Sequence, residues 1–251
     1  MYSTLWLFPL ALLPEGPAFG LLLASAVFLG LPHGGADLLL ARRLGYPLWA
    51  FVLVYLSLAA LALLLLFLAP AWALLGFLLL ALFHWGRVEQ RGPLGYLRAG
   101  MVLAFPFFFH PAEIRPFLEA FSNGWIPPSG TLLVPLVWLL VLSFFRPRPL
   151  MEWVDTALLA LFLWLAHPYA GLAGYFLFQH SLKSFRLVGV RKGEWKEVYL
   201  ATLGALLLAF FLWPRLPDSL AAYMGAVYVL TLPHVLTLEL WFRRGPGLAR
   251  T

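Results

Sequence analysis

His33, His84, His180 and His234 each lie inside an apolar stretch, a few residues before a cluster of Lys or Arg. An imidazole buried in hydrocarbon is costly, so it marks a functional site by default, and four at one depth point to a bound metal. Cysteine is absent. That removes thiolate metal sites, haem–thiolate chemistry and disulfides together, leaving His, Asp and Glu as the strong ligands. Asp37 follows His33 by one helical turn and shares its face. Its carboxylate can accept the N–H of a metal-bound imidazole, or it can ligate the metal itself. The plainer readings are interhelical hydrogen bonds for each histidine and, at Pro32-His33-Gly34-Gly35, a helix break that frees a carbonyl and admits a neighbouring helix. Leu232-Pro233-His234, with Glu239 beyond it, repeats the device.

The elements that must position these residues are membrane helices. Apolar residues make up 63% of the chain and charged ones 11%, more apolar surface than a soluble domain of 251 residues can bury. Spanning hydrocarbon takes about 20 helical residues. Nine segments fit that template: Ala18–Ala41, Leu48–Ala69, Ala71–Trp85, Tyr96–Phe109, Thr131–Phe145, Trp153–Ala166, Gly171–Phe185, Val198–Trp213 and Ser219–Trp241. The expected fold is therefore all-α, a polytopic integral membrane bundle of about eight or nine transmembrane helices forming a single domain over residues 1–251. Pro and Gly mark most joints, and no internal repeat is visible. Met1–Leu13 lacks a basic start and is followed by Pro14 and Pro17, so it reads as an interfacial or partly inserted segment, not a cleaved signal peptide.

Charge supplies a topology that hydropathy alone does not. Of 17 Lys and Arg, only Arg115 and Arg215 fall outside the loops after the odd-numbered segments. The remainder are Arg42, Arg43, Arg87, Arg91, Arg98, Arg146, Arg148, Lys183, Arg186, Arg191, Lys192, Lys196, Arg243, Arg244 and Arg250. The positive-inside rule then makes the C-terminus cytoplasmic, in what is expected to be the inner cell membrane. The net charge of +6 is an orientation signal in this reading, and nucleic acid is not an expected partner. Counting back from Arg42, Arg87, Arg186 and Arg243 puts the four histidines roughly 5 to 13 Å inside the cytoplasmic boundary. The expected metal lies between odd-numbered helices. His110 and His167 fall at the opposite ends of segments four and six, each before a proline. An interfacial capping role suits both, with His110 kept as a weaker candidate ligand.

Five short motifs, in order, carry a resemblance. They are Pro32-His33-Gly34-Gly35-Ala36-Asp37, Phe83-His84-Trp85-Gly86, Phe109-His110-Pro111, Gln179-His180-Ser181-Leu182-Lys183-Ser184 and Pro233-His234. In order and spacing the chain resembles the Brp/Blh family of membrane β-carotene 15,15′-dioxygenases over nearly its whole length. The resemblance implies an enzyme that uses non-haem Fe(II) and O₂ to cleave the central double bond of β-carotene into two all-trans-retinal molecules. Substrate would enter from membrane lipid, and retinal would return there or pass to an opsin. The chain departs from the family at two positions: Ser184 stands where a second histidine is expected, and Gln179 replaces a tryptophan. The depth argument offers His234 as the replacement ligand beside His33, His84 and His180, with Asp37 and Ser184 as supporting or alternative groups. Four histidines would leave two of six positions for oxygen chemistry. Two other readings stay open here. One is a carotenoid- or retinal-binding protein without catalysis; the other is a proton- or ion-coupled transporter using the intramembrane His and Asp.

Overall fold

In the computed structural model, residues 4–212, 214 and 219–244 are described. Trp213, at the end of the eighth segment, and the basic residues Arg215 and Arg250 lie outside them. All regular structure among the described residues is helical. The helices are α1 (Glu15–Ser25), α2 (Leu31–Gly35), α3 (Asp37–Arg43), α4 (Leu48–Leu68), α5 (Pro70–Glu89), α6 (Pro93–Phe109), α7 (Pro111–Ser122), α8 (Ser129–Phe144), α9 (Leu150–Leu165), α10 (Pro168–Tyr175), α11 (Leu182–Val188), α12 (Trp195–Leu212) and α13 (Ser219–Arg244). Each of the nine apolar segments emerges as helix. Four helical stretches, Glu15–Arg43, Leu48–Leu68, Pro70–Glu89 and Gly225–Arg244, are long and apolar enough to cross a membrane; α6 and α8 are shorter apolar helices.

Two of the nine segments are not continuous α-helix, and both carry site residues. The first breaks into α1, a π turn at Ala26–Gly30, α2 and α3. Pro32 sits in the first turn of α2, where its missing N–H costs nothing, and the following glycines are poor helix formers. The seventh breaks into α10, a π turn at Phe176–Ser181 and α11. These two π turns pack against one another, a type of irregularity common at functional sites. Gly30 makes the approach possible, because a Cβ there would lie 2.5 Å from Phe176 Cε1. Gly35 does the same for α12, where a Cβ would lie 2.5 Å from the Val198 carbonyl oxygen.

Two features differ from the sequence reading. An amphipathic helix, α7, occupies residues assigned to no segment. It buries Ile114, Leu118 and Phe121 and leaves Glu113, Arg115 and Glu119 outward. Its alternation of charge and Phe reads as loop in a hydropathy window but as one apolar stripe at helical period. The N-terminal stretch is a 3₁₀ helix, Thr4–Leu12, tucked against α9 and α10 with Thr4 and Leu7 fully buried. Trp6 and Leu12 remain exposed, so one face fits the interfacial expectation and the other has become part of the bundle.

Candidate metal centre

The broken first segment, the end of α5, the second π turn and α13 deliver His33, His84, His180 and His234 to one buried cluster, in which His33, His84 and His234 form the close set of ligand atoms and His180 packs against the rings of His33 and His84. Their rings form a square. Neighbouring centroids lie 5.1 Å apart for His33–His180, 4.8 Å for His180–His84, 4.8 Å for His84–His234 and 4.8 Å for His234–His33. Each neighbouring pair is close to perpendicular, while His33 and His84 face each other across the diagonal at 6.2 Å, nearly parallel. Ligand atoms of His33, His84 and His234 lie within 4.8 Å of one another.

Polar accounting within the square is incomplete. Both ring nitrogens of His180 are buried and make no hydrogen bond within the protein, and Nδ1 of His33 has at best strained contact with the Leu29 and Gly30 carbonyls. Nε2 of His84 and Nε2 of His234 face each other at 3.2 Å. A buried polar atom left unpaired costs about 1–3 kcal/mol, so several at one point call for a ligand. His234 is oriented from outside the square: both Asp37 carboxylate oxygens lie 3.0 Å from its Nδ1. With Nδ1–H donated to the carboxylate, the Nε2 lone pair turns inward, the arrangement that fixes tautomer and raises basicity in metal-bound imidazoles. Tyr55 on α4 extends the chain, its hydroxyl donating to Asp37 Oδ2 at 3.1 Å. The donor set suits a divalent first-row metal that accepts neutral imidazoles.

The remaining sequence candidates sit elsewhere or contribute differently. Ser184 is buried in α11, and its hydroxyl, like that of Ser181, makes no hydrogen bond. His110 is not brought to the cluster. It stands at the N-cap position of α7 but its side chain makes no cap bond; Nε2 lies 3.1 Å from the Trp164 carbonyl oxygen and Nδ1 3.6 Å from Glu113. His167 caps α10 by accepting the Tyr169 N–H at 3.3 Å.

Beside the histidines lies a second polar cluster that the sequence reading missed. Arg98, treated there as an orientation charge, is fully buried in α6. Its guanidinium lies 3.2 Å from Asp155 and 3.4 Å from Glu89, and donates to Gln179 Oε1 at 2.6 Å. Lys183 reaches Glu89 at 2.7 Å, Tyr175 donates to it at 3.1 Å, and Arg91 lies 3.3 Å from Asp155. The Thr4 N–H and hydroxyl both donate to Asp155 Oδ1 at 2.8 Å. Glu89 and Asp155 are thus buried acids with cationic partners, and Gln179 is an anchor of the π turn that carries His180. The one available signal was that Glu89, Arg91 and Arg98 sit at the ends of apolar helices with opposite charges in reach.

At the cytoplasmic end expected from the charge pattern, Arg43 donates to the carbonyls of Val188 and Gly189 and pairs with Glu194 at 2.7 Å. Burial alone would push the Glu194 carboxyl up, but the Arg191 N–H and the Arg43 guanidinium outweigh it and hold the carboxyl below its usual range. This clasp ties the end of α3 to the end of α11, behind His33 and His180.

An apolar cavity of about 460 Å³ opens onto the square. His33, His84, His234, Asp37 and Tyr55 line it together with apolar residues of α4, α12 and α13. Val52 and Leu56, on its α4 side, are exposed, and that side is the candidate lateral entrance. A second apolar cavity of about 110 Å³ lies between α5, α6, α7 and α10.

Comparison with known proteins gives a consistent result. The sequence model of a family described as beta-carotene 15,15'-dioxygenase matches residues 24–242. The chain is 26% identical over 265 residues to the beta-carotene 15,15'-dioxygenase of the uncultured marine bacterium 66A03, covering 88% of this chain and 93% of that one. It is 27% identical over 293 residues to the probable beta-carotene 15,15'-dioxygenase Blh of Halobacterium salinarum, covering 90% of this chain and 85% of that one. No solved structure matches it.

Proposed function

Because the chain belongs to the beta-carotene 15,15'-dioxygenase family, we propose that it cleaves β-carotene at the central double bond into two all-trans-retinal molecules, using O₂ and ferrous iron held by His33, His84, His180 and His234. The observation that carries this reading is the square of buried imidazoles, with unpaired nitrogens, opening on an apolar cavity. Bound there, ferrous iron supplies the activation of O₂. The protein's own residues do the rest. Asp37 holds the His234 tautomer and Tyr55 holds Asp37. The apolar lining excludes water and positions the polyene, so that orientation contributes to rate. His234 takes the ligand role that the family resemblance gives to the position of Ser184. The charge pattern supports a centre in the cytoplasmic half of the inner cell membrane, with a cytoplasmic C-terminus. Retinal leaves by the lateral entrance to lipid, from which an opsin can take it.

The test is retinal formation from β-carotene by the purified protein, aerobically with Fe(II), with iron measured on the same sample and on His234→Ala. Retinal production with about one iron per chain, both lost in the variant, is the expected result. Intact β-carotene and no retained iron in the wild-type protein overturns the reading.

A further inference from the structure

Neither ring nitrogen of His180 has a hydrogen-bond partner, and the ring packs against Phe176 and Trp85, each at 5.4 Å. It also stands outside the close set of ligand atoms that His33, His84 and His234 form. Its direction therefore depends on the backbone that carries it, the π turn Phe176–Ser181. A π turn holds one residue more than an α turn. Were that extra residue to pass along the helix beyond position 180, His180 would rotate by about 100° against the upstream helix, away from the other imidazoles. Three side chains spaced four residues apart bear on the place of the turn. Tyr175, just before it, donates to Glu89 Oε1 at 3.1 Å. Gln179, inside it, accepts from Arg98 at 2.6 Å and donates to the Thr4 hydroxyl oxygen at 3.3 Å. Lys183, beyond it, donates to Glu89 Oε2 at 2.7 Å. All three converge on the Arg98–Glu89 pair, and Glu89 ends the same helix, α5, that carries His84.

We propose that Gln179 is a positioning residue of the metal centre: its bond to Arg98 latches the π turn in register, so that His180 faces His33 and His84. This rests on the proposed metal-holding role of the four histidines. The two outer grips cannot do the same work. A shift of the extra residue anywhere between Tyr175 and Lys183 leaves both ends of the segment as they are and turns only what lies between them. Gln179 lies between them and next to His180, so fixing the direction of one side chain fixes the other. The post to which it is latched is itself held, because the planar Arg98 guanidinium sits 3.2 Å from Asp155 and 3.4 Å from Glu89. The family resemblance gives tryptophan at position 179. An indole N–H only donates, so a latch to a guanidinium through that nitrogen is closed to tryptophan, and this chain has its own.

The test is anaerobic titration of the purified full chain with Co(II), whose visible absorption changes with the number and arrangement of its ligands. Gln179→Leu removes the latch and should weaken cobalt binding about 10- to 100-fold, with the spectrum moving toward that of His180→Ala. Gln179→Glu offers Arg98 a carboxylate in place of the amide oxygen and should bind within about threefold of wild type, with the wild-type spectrum. Arg98→Lys keeps the charge opposite Glu89 and Asp155 but gives up the fork. It should match Gln179→Leu, and it carries the test if the leucine variant does not fold. Wild-type affinity and spectrum without the latch overturn the positioning role. Equal loss in Gln179→Leu and Gln179→Glu overturns it too, since packing at position 179 would then matter and the Arg98 bond would not. Wild-type protein that binds cobalt no differently from His180→Ala removes His180 from the ligand set, which overturns the positioning role and leaves a centre of the other three histidines. Wild-type protein that binds no cobalt overturns the metal reading itself.

Discussion

Two buried polar clusters sit within one turn of each other in this protein, and they are built on opposite terms. Around Arg98, each charged group finds an opposite charge within the protein, with only Arg98 Nε, 3.4 Å from Glu89, left short of a hydrogen bond, so the cluster's charges are paired as it stands. Around His33, His84, His180 and His234, two groups from broken helices and two from continuous ones are brought together, and buried ring nitrogens are left without a hydrogen bond. The adjacent residues Gln179 and His180 belong one to each cluster. A complete polar cluster holds position; an incomplete one at the same depth is held in position for something else. Neither charge nor burial alone separates the two, because both are buried and both are polar. The state of their hydrogen-bond accounts does.

That contrast can be broken most severely at the incomplete cluster. Removing a ligand with His84→Ala should lower retinal formation by about 1,000-fold or more, the several kcal/mol a metal contributes, while the fold survives, as the rate and far-ultraviolet circular dichroism in detergent will show. At the complete cluster the signs reverse. Arg98→Ala leaves Glu89 and Asp155 buried without their main partner and should destabilise the fold by about 3–5 kcal/mol in chemical unfolding. Chelation sharpens the difference. Stripping iron should remove about 2.7 kcal/mol of stability from protein previously held at a hundredfold excess over its dissociation constant, and should remove nothing from His84→Ala in the same thermal scan.

Smaller effects probe how the histidines are oriented. Asp37→Asn keeps the size of the side chain but weakens its grip on His234 Nδ1, and iron affinity by titration should fall about 10- to 100-fold; Tyr55→Phe should do the same to a lesser degree. Least is expected at the clasp. Glu194→Gln should cost under about 1 kcal/mol. Since the Glu194 carboxyl is held below its usual range, the clasp contributes fully above the ordinary carboxylate range and is lost as pH falls through the lowered one. Acid titration of unfolding in wild type, against a flat Glu194→Gln control, checks the sign.

Much of the histidine cluster was legible in the sequence because depth in a membrane can be counted in residues. His33, His84, His180 and His234 lie at fixed offsets from basic loops, and helical rise turns offset into height. Rotation about each helix is less legible. That His180 faces the other three depends on the π turn at Phe176–Ser181, which adds a residue to one turn and which no periodicity announces. The same limit hid Arg98. A basic residue two positions into an apolar segment reads as a boundary marker, and only the packing of α6 against α5 and α9 shows that it points inward. Asp155, in the first turns of α9, was unread for the same reason. Helix α7 was legible in principle, but a hydropathy window averages its two faces.

Asp37 and His234 are 197 residues apart in the chain, and that separation sets the order of biogenesis. At a synthesis rate of about 5–20 residues per second, roughly 10 to 40 s pass between the emergence of the carboxylate and that of its imidazole. During that interval the first span must stay in or beside the insertion machinery with a half-made polar pair. A chain stalled before α13 has three of the four imidazoles and no partner for Asp37. The centre is therefore closed only when α13 emerges, and its assembly reports that the chain has been made through that helix.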